Sequence, residues 1–171
     1  MDIVDALSTV AEFSIGLAGF TGIIAIFANS RERIGGALRF RITNLLILSF
    51  APGFFALITI GMVYFFGSEE TPIRVNSFGL AFFTLLALYR AFNARKKIPE
   101  EERRILSNFF WTFNIIIVLT NFVAQLVNVI VTSQYSAGIL LFGLIAILLV
   151  AAITFCMIVF QIMNAQSTIE N

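Results

Sequence analysis

Residues 137–163 read AGILLFGLIAILLVAAITFCMIVFQIM, without one charged side chain. A helix wound from this stretch is apolar on every face, which suits a membrane span or a deep core. About 20 such residues cross the roughly 30 Å hydrocarbon layer of a bilayer. Working outward, four more segments reach or approach that length, at about 10–28, 42–66, 77–92 and 106–131. Gly, Pro, Asn, Ser and charged residues separate them, the usual breakers.

The whole chain of 171 residues is 59% hydrophobic and only 12% charged, with a mean hydropathy of +0.95. A soluble domain carries about 25% charged residues. The composition therefore predicts an all-α polytopic membrane helical bundle of five transmembrane helices, with residues 1–171 forming one domain. Asp2 and Asp5 stand where a cleavable signal would carry basic residues, so the first segment is expected to stay as a span.

Charge placement predicts an orientation. Arg31, Arg33, Arg39 and Arg41 fall between spans one and two. Arg90, Arg95, Lys96, Lys97, Arg103 and Arg104 fall between spans three and four. These are ten of the 11 basic residues. The positive-inside rule places such loops in the cytosol, with the N-terminus outside and the C-terminus cytoplasmic. A bacterial-type inner (plasma) membrane is the expected location. Tyr64 and Tyr135 fall at the outer ends and Tyr89 and Trp111 at the inner ends, the levels amphipathic rings prefer. Pro99 and Glu100–Glu102 predict a helix start, so that spans three and four form a short stem. The basic, partly apolar loop 29–41 has three readings: setting topology, binding anionic lipid, or docking a cytosolic partner.

Several chemistries are excluded. The chain has no histidine and one cysteine, Cys156, so His-based catalysis, intrachain disulfides and cysteine clusters fall away. No phosphate loop, zinc motif or nucleic-acid module is present. No enzyme, metal or cofactor is expected, and no nucleic-acid partner.

Span four carries the unusual pattern. At 100° per residue, Asn114, Asn121, Gln125, Asn128 and Thr132 share an arc of about 60°, interrupted by Val118. Unsatisfied amides are costly in hydrocarbon, so this stripe is not expected to face lipid. Two readings stay open: interhelical glue, or a polar path whose amides replace ion or solute hydration.

Span one carries Glu12 on a face shared with Asp5, Thr9, Gly16 and Gly19. An intramembrane carboxylate marks a function or a paired site, and an acidic mouth favours cations. Depth matching puts Glu12 level with Asn128 and near Gln125, which predicts one polar, cation-attracting site if spans one and four meet. A second face of span one, Ala11, Ser14, Ala18, Gly22 and Ala25, has the small-residue spacing that permits close helix packing. Pro52 and Gly53 are expected to kink or locally unwind span two.

Two functions follow as expectations. One is a homo-oligomeric channel or permease with its path between subunits. The other is a non-catalytic accessory or scaffold subunit, held by a membrane-protein partner within the lipid bilayer.

Overall fold

A computed structural model describes residues 2–29, 36–100, 108–131 and 133–167. Five long helices follow one another: α1 Ile3–Asn29, α2 Gly36–Phe66, α3 Glu70–Lys96, α4 Asn108–Ile130 and α5 Ser136–Ser167. All five are long and apolar enough to cross a membrane. Exposed Phe13, Phe54, Phe78, Phe82 and Phe142 point outward, which suits lipid and not water as the surrounding solvent. The chain is therefore a multi-pass membrane protein.

Helices α1, α2, α3 and α5 are longer than their apolar stretches, for local reasons. Asp2 accepts a hydrogen bond from the Val4 backbone N–H at 3.2 Å and starts α1 seven residues before the apolar run. Helix α3 extends well beyond 77–92 because Pro72 suits its first turn and Arg95 and Lys96 suit its last. At 27 residues and 1.5 Å each it is about 40 Å long, more than the hydrocarbon needs. The Glu70–Arg74 pair at 3.4 Å lies on its exposed surface and contributes little. Gly67 closes α2 with φ +63°, a left-handed cap that a β-carbon would strain. Of the expected stem, α3 reaches Lys96 and Glu100 is helical; residues 101–107 lie outside the described residues.

Helices α2 and α5 pack together at the centre. Helix α1 lies on α2 and α5, while α4 lies on α3 and α5. Leu7, Leu45, Leu80, Leu140, Leu144 and Ile158 are fully buried along these seams. Buried Thr21, Ser49, Thr59, Thr84 and Thr154 return their hydroxyls to carbonyls three or four residues back on their own helices. That local bond is how a hydroxyl is satisfied without water.

The small-residue face of α1 meets the Pro52–Gly53 step of α2. Ala11, Ser14 and Ala18 are buried, and Gly22 and Ala25 half-buried. The Gly53 N–H donates to Ser14 Oγ at 2.8 Å, and Ser14 Oγ donates to the Ser49 carbonyl. In a regular helix Gly53 N–H and Ser49 C=O would face one another. The Ser14 hydroxyl sits between them, a side chain inserted into the ladder of the neighbouring helix. Of the kink or local unwinding expected at Pro52, the unwinding is not seen: α2 runs through the proline as helix, with the Ser14 hydroxyl bonding the Gly53 N–H and the Ser49 carbonyl beside it. Gly53 is required by this approach, since a β-carbon there would lie 2.8 Å from Ser14 Cβ.

Gly53→Ala is expected to destabilise the bundle by about 1–3 kcal/mol through overpacking. Gly61→Ala, with open space around its β-carbon, is expected to leave stability unchanged. Unfolding titrations in mild detergent compare the two.

Candidate functional site

The amide stripe of α4 is turned into the bundle. Asn121, Gln125 and Asn128 are buried, the last two fully. Asn128 Nδ2 donates to Ser77 Oγ of α3 at 2.8 Å and to the Ser136 carbonyl, at the start of α5, at 2.9 Å. One side chain thus ties three helices together beside the α4–α5 turn. That turn is itself closed by Ser136 Oγ, which accepts from the Ser133 N–H at 3.1 Å.

One helical turn along, Gln125 Nε2 donates to the Ile139 carbonyl of α5 at 3.0 Å and to Asn121 Oδ1 at 3.2 Å. Gly143 of α5 makes room for that pair: an alanine β-carbon there would overlap both amides. The stripe still leaves atoms unspent. Asn114 Oδ1, Asn121 Nδ2, Gln125 Oε1 and Asn128 Oδ1 are buried without a protein hydrogen-bond partner. Each costs desolvation energy, which in Asn121, Gln125 and Asn128 the bonded atom of the same amide offsets only in part.

Glu12 is elsewhere. It is exposed on α1, beside a groove of about 980 Å³ against α5, lined by Phe13, Gly16, Phe20, Leu141 and Ile145. Asp5, Thr9, Gly16 and Gly19 are exposed on the same face. Helix α1 packs on α2 and α5 and α4 on α3 and α5, and α1 and α4 share no packing seam. The expected grouping of Glu12 with Gln125 and Asn128 is therefore not formed within one chain. Sequence fixes helix face, but not which helices are neighbours.

At the Arg-rich end, a cavity of about 100 Å³ lies between α2, α3, α4 and α5. Arg41, Asn44, Arg95, Trp111 and Asn114 line it. The Arg95 guanidinium stacks on Trp111, 4.4 Å from the ring centroid, and Trp111 also meets Phe92 and Phe40 edge-on or tilted. Trp111 is half-buried between helices, whereas Tyr64, Tyr89 and Tyr135 are exposed. Arg39, Lys96 and Lys97 are exposed around this end; Arg31 and Arg33 lie outside the described residues, as does Thr132.

Three contributors were not apparent from the sequence: Ser77, Ser136 and Asn44. Gly143 is a small residue of the kind that permits close helix packing, but the partners of the other three required the helix pairing. Comparison with family models, curated proteins and solved structures finds no match.

Asn128→Ala and Ser77→Ala are expected to be coupled by about 0.6–1.7 kcal/mol, the range for interhelical hydrogen bonds in membranes. A double-mutant cycle on unfolding in bicelles measures it, and additive effects would contradict the contact.

Proposed function

We propose that this chain is a non-catalytic subunit that assembles in the membrane through the exposed face of α1. The observation that carries the reading is a contrast between two polar faces. Asn121, Gln125 and Asn128 of α4 are buried and each bonds inside its own chain through one of its two polar side-chain atoms. Glu12 of α1 is exposed in a groove made of apolar side chains and glycine. A carboxyl group at that depth is costly against lipid. A neighbouring membrane helix supplies hydrogen-bond donors and packs on Gly16 and Gly19, where small residues allow close backbone approach. The basic end faces the cytosol in this reading, and the membrane is a bacterial-type inner membrane.

A second reading is favoured by the company Glu12 keeps. Asp5, Thr9 and Glu12 share the exposed face, so a ring of copies joined at α1 would gather carboxylates around one axis. Such a ring attracts cations, and the assembly would be a homo-oligomeric channel or permease.

The glycines give a clean test. A β-carbon at Gly16 or Gly19 meets nothing within 4 Å, so Gly19→Leu is expected to leave the fold intact and block assembly. Native mass spectrometry of gently extracted wild type is expected to show a stoichiometric partner chain that Gly19→Leu loses. A closed homo-oligomer whose cation flux falls in Glu12→Gln would establish the second reading instead. A wild-type monomer with neither would sink both.

A further inference from the structure

We propose that the groove beside Glu12 takes a transmembrane helix of a different chain, one that carries a lysine or arginine near the middle of its span. The inference rests on the assembly through α1 and names the chemistry of the partner. It is carried by the depth of Glu12, by its want of a partner, and by where the chain keeps its own cations.

The lock between α1 and α2 fixes the depth. Ser14 bonds Ser49 and Gly53, which flank residue 51, the midpoint of Gly36–Phe66. Ser14 is therefore level with the middle of α2. Glu12, two residues earlier, lies about 3 Å outward of it. The groove agrees, because it brings Glu12 together with Ile145 and Leu148, near the middle of the uncharged stretch 137–163. With α2 centred on a hydrocarbon layer of roughly 30 Å, about 12 Å of hydrocarbon separates this level from outer water.

Among the described residues Glu12 has no hydrogen bond or ion pair. The hydroxyl beside it is already used: Thr9 Oγ1 donates to the Asp5 carbonyl at 3.0 Å. An acyl chain fills such a groove but offers a carboxylate no donor. Acids at this depth are held by a charged or hydrogen-bonding partner.

A second copy does not supply the cation. Copies in one membrane share orientation and depth, and no described basic side chain lies at the level of Glu12. Arg41 of α2 lies about 15 Å inward of residue 51. Arg74 lies outward of Asn76, whose amide reaches Met62, about 16 Å outward of residue 51. Arg90, the nearest, lies about 10 Å inward of Phe83, whose ring meets Phe55 of α2. Copies joined through α1 would bring carboxylate to carboxylate, which is repulsive. A helix of another chain with a basic residue at mid-span meets the requirement. Its backbone packs on Gly16, one turn inward of Glu12, and the groove of about 980 Å³ takes its side chains.

The probe is a synthetic polyleucine transmembrane peptide with one central lysine and a dansyl group, placed with the protein in nanodiscs. Trp111 is the single tryptophan of the chain, so energy transfer from it reports binding. Saturable transfer is expected with wild type. It is expected to weaken at least tenfold in Glu12→Gln, and at least tenfold when leucine replaces the lysine of the peptide. Gly16→Leu, whose added β-carbon meets nothing within 4 Å, is expected to abolish it with the fold intact. Equal binding of the lysine and leucine peptides, both lost in Gly16→Leu, would leave the α1 face an assembly surface and overturn the basic partner. No saturable binding of the lysine peptide would overturn the proposal. In native mass spectrometry the wild-type partner is expected to carry a mid-span basic residue and to be lost in Glu12→Gln. A partner kept in Glu12→Gln but lost in Gly19→Leu would retain the assembly reading and overturn the ion pair. A closed homo-oligomer that excludes the peptide would give the groove to a second copy and overturn the foreign helix.

Discussion

An amide within hydrocarbon has to find its hydrogen-bond partners in protein, because lipid offers none. Asn128 meets that constraint by reaching Ser77 on α3 and the Ser136 carbonyl on α5 at once. The register of α4 against both neighbours follows. With Asn128 fixed, Gln125 reaches the Ile139 carbonyl, and Gly143 must stay small beneath the Asn121–Gln125 pair. In water such bonds would compete with solvent. Here the alternative is an unpaired amide, so a few side chains set the arrangement of three helices whose remaining surface is uniformly greasy.

The other half of the bundle uses the same logic with a hydroxyl. Proline at 52 removes a backbone donor, and the ladder around it loosens. Ser14 of α1 enters the gap and bonds both Gly53 N–H and the Ser49 carbonyl. Helix α1 is thereby registered on α2, as α4 is on α3 and α5. Two polar locks, one between α1 and α2 and one joining α4 to α3 and α5, hold a core whose apolar contacts carry little directional information. What remains after both locks are made is the outward face of α1, and that remainder is what the assembly reading uses.

Much of this was legible in the sequence. Five spans could be counted because hydrocarbon thickness sets a minimum apolar length. Helix ends were read too short at α1 and α3, since Asp2, Pro72 and the Arg95–Lys96 pair extend helices in a way hydropathy does not register. The burial of the α4 amides followed from their cost in lipid, and Asn121, Gln125 and Asn128 are buried while Asn114 is half-buried. The pairing of helices was not legible. Apolar spans of similar composition pack in many orders, and depth matching alone put Glu12 beside Gln125 and Asn128. The helix order separates them. Likewise Arg41, Asn114 and Trp111 each stood out individually, but only the four-helix arrangement gathers them around one cavity.

The central claim is that the α4 amides are internal ties closed off from water. Solid-state NMR of the protein in bilayers, with polarisation transferred from water to side-chain amides, addresses it directly. The account predicts no transfer to the side chains of Asn121, Gln125 and Asn128 at mixing times that light up exposed residues such as Tyr64 and Tyr135. Rapid transfer to all three amides would contradict it, and would mean that α4 lines a wet path through the membrane.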